Sequence, residues 1–318
     1  TRSVIKYFRP EFIKAFTIGQ NSNSTTMFRN DLKIAWRQLL KQKIYSTIKV
    51  GGFALGIAAC MLIALFVKDE LRYDQHYENK DRIFRLVFEF EGDDSWVWAP
   101  APTAGVLESD FPEIEKSGRI LNSQLFGAGT SEIRLEDDPQ IFYETGFAYI
   151  DHSMLDILEI DLIKGDKNSA LQEPKTIVIS KEKAEKYFPN ENPMGKTIHM
   201  QNNVLDNSSG RSLTITGVIE LKKASHFQYD FLMTLSEVEF YPGEQDNWNA
   251  NNNHTYFKTK GNVNTPALNE KLDLLTKNYF VPAWMADGYQ GVSEAAEKIL
   301  FQMQAVTDFH LHNCDIYD

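Results

Sequence analysis

The residues that could do chemistry in this chain are few and scattered. His310 and His312 stand two apart and share a face if residues 309–312 are extended, which is half of a metal site. No HExxH occurs and nothing fixes a third or fourth ligand, so structural histidines are the commoner reading. Ser225-His226 precedes Asp230, putting a hydroxyl, an imidazole and a carboxylate close together in sequence. A catalytic triad is assembled in space, however, and sequence neighbours rarely form one; a GxSxG elbow is also missing. Pro193-Met194-Gly195-Lys196-Thr197 resembles the end of a phosphate loop. That loop needs a glycine at the place where Asn190 stands, and a strand pattern follows here instead of a helix. A tight turn entering a strand accounts for the segment better. Trp248, Asn252 and Asn253 belong to an amide-rich run, residues 247–254, which reads as a loop. Such a run suits sugar or peptide binding, but solvated turns use the same residues. The two cysteines, Cys60 in an apolar run and Cys314 near the end, make an intrachain disulfide implausible. No catalytic, cofactor-binding or metal-ligating set emerges, so neither an enzyme nor a cofactor is expected.

The element with the strongest signal is the uncharged run VGGFALGIAACMLIALFV, residues 50–67. At about 1.5 Å per residue it makes a helix close to the hydrocarbon thickness of a bilayer. A secretory signal is the first alternative, but its apolar region is normally about 7–15 residues and lies nearer the start. A soluble core helix is the second, and it would usually be shorter and polar on one face. Around the run, Arg29, Lys33, Arg37, Lys41, Lys43 and Lys49 precede it against Asp31 alone, whereas acidic and basic residues mix after it. The positive-inside rule then puts the N-terminus in the cytoplasm and the larger acidic part outside. A net charge of −11 argues against a nucleic-acid surface.

Before the span, Phe28, Leu32, Ala35, Trp36, Leu39 and Leu40 fall on one helical face beside the basic residues. This reads as an amphipathic helix at the inner-leaflet interface, with Trp36 at headgroup depth; an ordinary soluble helix is the alternative. Gly52, Gly56 and Ala59 line a small-residue face that fits a second helix. The domain plan is an unassigned polar extension over 1–26, the amphipathic helix over 27–45 and the span over 46–68. A core follows over 69–312, then a tail over 313–318.

After the span the chain alternates short strands and helices without a regular βαβ period, which makes the class α+β. Strands are predicted over 82–90, 118–125, 132–135, 140–150, 176–179, 198–200, 213–221, 227–234, 255–258 and 299–306. Helices are predicted over 102–110, 153–158, 181–187 with Ser180 as cap, and 265–279. No Gly or Pro interrupts residues 58–76, so the span helix is expected to continue from 50 through 77 as a stalk into the strand at Ile83.

Several blocks together are similar to MacB/FtsX-like ABC transporter permeases. They are Phe28 with Leu32-Lys33-Ile34-Ala35-Trp36-Arg37, then residues 45–56, then Asp69-Glu70-Leu71-Arg72-Tyr73-Asp74 and Asp81-Arg82-Ile83-Phe84-Arg85. Further on are Ile177-Val178-Ile179-Ser180, Ala184, Tyr187-Phe188, residues 192–197, Thr214-Ile215-Thr216-Gly217-Val218-Ile219, Ser225-His226-Phe227, and residues 305–312. The resemblance implies one N-terminal transmembrane helix and a MacB-like periplasmic core of two small α+β subdomains, the inserted one at roughly 131–224. It implies a permease subunit, or a fragment of one, that couples ATP hydrolysis to export or mechanical signalling in the cell envelope. The implied partners are a cytoplasmic ABC ATPase subunit, a second permease copy as homodimer or heterodimer, and the lipid bilayer, with no nucleic acid. The family's other three spans are absent from these residues. The alternative is a single-span envelope sensor or binding protein without transport activity.

Overall fold

The computed structural model describes residues 24–90, 95–122, 129–136, 138–202, 210–309 and 316–317. His310, His312, Cys314 and residues 1–23 of the extension therefore lie outside the described residues. The chain divides into two compact units, Thr1–Val67 and Lys68–Asp318.

The first unit is helical. Helix α1 (Ser24–Lys41) is followed by α2 (Lys43–Glu70). The break falls at Gln42, although its neighbours keep hydrogen bonding across it: Gln42 N donates to Gln38 O at 3.2 Å and Ser46 N to Gln42 O at 2.9 Å. The Ala, Leu, Met and Ile side chains of α2 favour helix. Gly51, Gly52 and Gly56 would each weaken it by about 1 kcal/mol in water, but a bilayer core admits a lone segment only as helix. None of the 28 residues of α2 is buried by protein. It is the one helix among the described residues long and apolar enough to cross a membrane.

The second unit is built on one mixed sheet. Its elements in chain order are β1 (Ile83–Phe90), β2 (Ser95–Trp96), β3 (Trp98–Pro100), α3 (Thr103–Asp110), β4 (Ile114–Asn122), β5 (Ser131–Leu135), β6 (Asp138–Glu144) and β7 (Phe147–Ile150). There follow α4 (Met154–Ile157), β8 (Leu162–Gly165), β9 (Thr176–Ser180), α5 (Lys181–Tyr187), β10 (Thr197–Gln201), β11 (Arg211–Ile219), β12 (Phe231–Thr234) and β13 (Asn251–Thr259). The last are α6 (Thr265–Leu275), α7 (Val281–Ala286), α8 (Val292–Ala296), β14 (Ile299–Ala305) and β15 (Ile316–Tyr317). The main strand order is β15-β2-β1-β13-β4-β7-β12-β9-β11-β10-β5-β6, with β14 on β1, β3 on β13 and β8 on β11. The class is α+β, as the irregular mixture of elements predicts.

The central strands are apolar without a break because both faces are covered. Successive side chains point to opposite faces. In β7, Phe147 and Tyr149 enter one core and Ala148 and Ile150 another; in β9, Ile177 and Ile179 are separated from Val178 in the same way. The core on the Phe147 side holds Ile133, Tyr187, Ile198, Ile215 and Phe231. The opposite core gathers Tyr77, Ile83, α4, Phe227, Tyr256 and Phe309. A third core packs β1, β13 and β14 against α3 and α6 through Phe84, Leu107, Phe257, Leu272 and Phe301. Each such side chain, when fully buried, stabilises by roughly 1.5–3 kcal/mol. Where β8 pairs with β11, a Cβ on Gly217 would meet the Leu162 side chain and press on Val178, so a larger residue there would force Leu162 to move.

Four sequence expectations need correction. The strand expected over 140–150 is two, β6 and β7, divided at Gly146, whose φ of +80° turns the chain. The helix expected over 265–279 ends as α-helix at Leu275, passes through a π turn at Thr276–Phe280 and resumes as α7. The amide-rich run is no loop beyond Ala250, because Asn251–His254 pair with β3 and β4 as part of β13. The stalk helix stops at Glu70 and does not reach Tyr77; residues 71–76 form turns. The absence of Gly and Pro permits a helix there, and the contacts described next outweigh that local preference.

Candidate functional site

The structure separates the residues that looked like chemistry. Asp230, the candidate orienter for His226, instead accepts from the Ser180 hydroxyl, and its carboxylate lies 3.6 Å from Lys183 Nζ. The Gly195-Lys196-Thr197 segment is a turn entering β10: Gly195 has φ +77°, its N–H is taken by Ile215 O at 2.9 Å, and Lys196 pairs with Glu191. No amide there is aimed at a phosphate. Trp248 stacks on Tyr279, ring centroids 4.9 Å apart. No group of three or more His, Cys, Asp or Glu side chains that could hold a metal occurs among the described residues.

His226 has a different partner, and it marks the site. The chain leaves α2 through tight turns, with Arg72 N donating to Asp69 O at 3.1 Å and Tyr73 N to Glu70 O at 3.2 Å. Asp74 then takes a left-handed φ of +55°, which a short polar side chain tolerates better than most. Its N–H donates to Ala224 O at 3.0 Å. Its Oδ1 accepts both the His226 backbone N–H, at 3.0 Å, and His226 Nδ1, at 2.9 Å. Asp74 is fully buried (0 % exposed), and its Oδ2 has no hydrogen-bond partner. A carboxylate acceptor at Nδ1 fixes the proton there, so in the neutral ring Nε2 accepts from the Tyr256 hydroxyl at 3.4 Å.

The imidazole continues the contact outward. It meets Phe309 edge to face, centroids 4.7 Å apart, and lies parallel to the Tyr256 ring. Phe309 in turn sits under the Arg85 guanidinium, 4.6 Å from its ring centre, and Arg85 Nη2 donates to Gln304 at 2.8 Å. One turn after α2 is thereby tied to β1, β13 and the end of β14.

A second clamp follows within five residues. The buried Tyr77 hydroxyl lies 3.2 Å from Ser225 Oγ, and burial pushes its phenol pKa well up. Glu159, itself at φ +48°, accepts from Glu78 N (2.6 Å), Asn79 N (3.2 Å), Asn79 Nδ2 (2.5 Å) and Lys258 Nζ (3.2 Å). Burial works to raise the Glu159 pKa, but these donors outweigh it and hold the carboxyl below its ordinary value. Beside this second clamp lies a cavity of about 100 Å³ lined by Tyr77, Glu159, Lys222 and Phe227, room for a few waters and little else. These contacts fasten the segment that follows α2 to the loop at Ala224–His226 and to Glu159, and through the His226 ring to Tyr256 on β13.

No local pattern in the sequence marks this joint. Its parts are nonetheless in the blocks already singled out: Asp74 ends one, His226 is the centre of a second and Phe309 stands in a third. What sequence reasoning lacked was their meeting point.

The family model described as the MacB-like periplasmic core domain matches residues 46–275. Among solved structures, a domain of a protein described as a permease, from Porphyromonas gingivalis, aligns with a TM-score of 0.56 at 21% identity, covering 72% of this chain and 92% of that one. The periplasmic region of MacB from Actinobacillus actinomycetemcomitans aligns at 0.46 and 15% identity, covering 73% and 94%. The extracellular domain of the ABC-type transporter YknZ from Gram-positive bacteria aligns at 0.40 and 14%, covering 70% and 99%. At such identities the first likeness bears on the fold alone. No curated protein matches the chain.

Proposed function

Because the chain belongs to the MacB-like periplasmic core domain family, that of MacB/FtsX-like ABC transporter permeases, we propose that it is the membrane-anchored permease portion of such a transporter. In this reading α2 crosses the inner membrane with the N-terminus in the cytoplasm, and the unit from Lys68 onward works in the periplasm as two subdomains, the inserted one at roughly 131–224. A separate cytoplasmic subunit hydrolyses ATP, and a second permease copy completes the membrane part. The chain itself catalyses nothing; it carries motion, for export or for mechanical signalling in the envelope.

The observation that supports this most is the joint at Asp74 and His226. The 28 residues of α2 extend about 42 Å, against a hydrocarbon core of about 30 Å. A helix is stiff along its axis, and this one is followed within four residues by a buried attachment to His226 in the β11–β12 connection, whose ring packs on Tyr256 of β13. Displacement of the membrane part is then delivered to β1, β13 and β14 with little lost in a flexible linker. No substrate need cross the lipid through this chain for that to happen. Topology is the test. In spheroplasts a tag after residue 70 is expected to be cut by added protease; a protected tag would end the proposal.

A further inference from the structure

Helix α1 carries two stripes. Arg29, Lys33, Arg37 and Lys41 recur every four residues, each step advancing about 40° around the helix. Leu32, Trp36 and Leu40 recur with the same spacing, offset from the first stripe by about 100°. All seven are exposed, and the apolar ones strongly so: Leu32 at 61 %, Trp36 at 64 % and Leu40 at 54 %. Asp31 is the one acid within α1, while Lys43 and Lys49 extend the positive charge into α2. Lys49 Nζ lies 4.3 Å from the centre of the Tyr45 ring.

We propose that α1 is a docking helix for anionic phospholipid headgroups, with the Leu32–Trp36–Leu40 stripe sunk into the leaflet and the basic stripe paired to phosphates. This rests on the reading that α2 spans a membrane. The occupant follows from charge complementarity. A zwitterionic surface would accept the apolar stripe but give the four cations nothing, whereas an anionic leaflet rewards each of them by about fivefold in local affinity. The side-by-side placement of the stripes lets long basic stems lie along the apolar band while their heads reach the phosphates. Bound so, α1 fixes the depth at which α2 enters the membrane, and fixed depth is what a helix transmitting displacement requires.

The experiment is amide hydrogen exchange on the full chain, reconstituted in vesicles of phosphatidylcholine alone and in vesicles containing phosphatidylglycerol. Exchange over residues 29–41 should slow by about tenfold or more when the anionic lipid is present. The difference should collapse near 1 M salt, where the screening length is only about 3 Å. The variant Arg29→Gln/Lys33→Gln/Arg37→Gln/Lys41→Gln keeps helix propensity and should lose the difference, while Lys33→Arg/Lys41→Arg should keep it. Equal exchange in the two lipids, whether slow because a protein segment covers the face or fast because nothing does, overturns the proposal. So does a difference that survives in the glutamine variant. Residues 50–67 separate the two claims: if they are protected in both lipids and α1 is indifferent, only the headgroup proposal falls. If they exchange freely in both, the membrane reading falls with it.

Discussion

Two of the ionic networks in the unit that begins at Lys68 join different things. In one, Glu144 is nearly buried and accepts from Lys183 and Lys186 at 2.6 Å each and from the Tyr187 hydroxyl at 2.7 Å. Those partners lie 39 to 43 positions away, all on α5, so the network ties one short helix to the end of β6. In the other, Asp74 and His226 are 152 positions apart, and the ring leans on Tyr256 and Phe309. Similar groups at similar distances thus stabilise a local packing in the first case and close nearly the whole domain around the end of a helix in the second. Only the second stands next to the end of α2.

Breaking each network should expose that difference. The largest effect is expected from His226→Ala, which leaves the Asp74 carboxylate buried with one backbone donor. The loss is about 3 kcal/mol in denaturant unfolding of the purified chain. Lys183→Ala should cost about 2 kcal/mol, because the Lys183 side chain is 12 % exposed and its loss leaves Glu144 with two donors. Neither the helix after Ser180 nor its cap, Lys183 N on Ser180 Oγ at 3.3 Å, depends on the lysine head. Asp74→Asn keeps an acceptor and a residue that tolerates the left-handed conformation, so about 1 kcal/mol is expected. A larger loss than for His226→Ala would mean that the charge, and not the hydrogen bonds, holds the joint. Lys186→Ala, at 46 % exposure, should cost no more than about 0.5 kcal/mol.

Acid should weaken the Glu144 network and the Glu159 clamp beside the joint. For Glu144 and for Glu159 burial acts to raise the pKa, but the amine, amide and hydroxyl donors around them prevail and hold both below the ordinary 4.5. A carboxyl depressed on folding contributes stability above its unfolded value, and that contribution is lost as pH falls through the folded one. The thermal midpoint should therefore drop as pH falls below 4.5, and more gently in Glu144→Gln and Glu159→Gln than in the parent. An unchanged slope in both variants would show that other carboxyls dominate acid unfolding.

The sequence was most legible where one periodicity decides the element. The apolar run of α2 and the alternation of β1 were both readable, as was the Ser180 cap before α5, because each depends on residues a few positions apart. Strands β2, β3 and β8 were not, being two to four residues long and held by their neighbours in the sheet. The stalk over 71–77 failed for the opposite reason: local propensity allows helix, but the Ala224 carbonyl and the His226 ring hold Asp74 at positive φ. The joint is a long-range object. The sequence sets His226 beside Asp230, because nearness along the chain is the only nearness it displays.

The central claim is that α2 and the joint carry displacement as one stiff path. A flexible Gly-rich segment placed after Lys68, in a complete permease working with its ATPase, leaves both ends of that path intact and makes its middle soft. The account predicts normal expression, membrane insertion and folding of the outer domain, continued ATP hydrolysis, and loss of export or signalling. Undiminished export or signalling by that variant would contradict it.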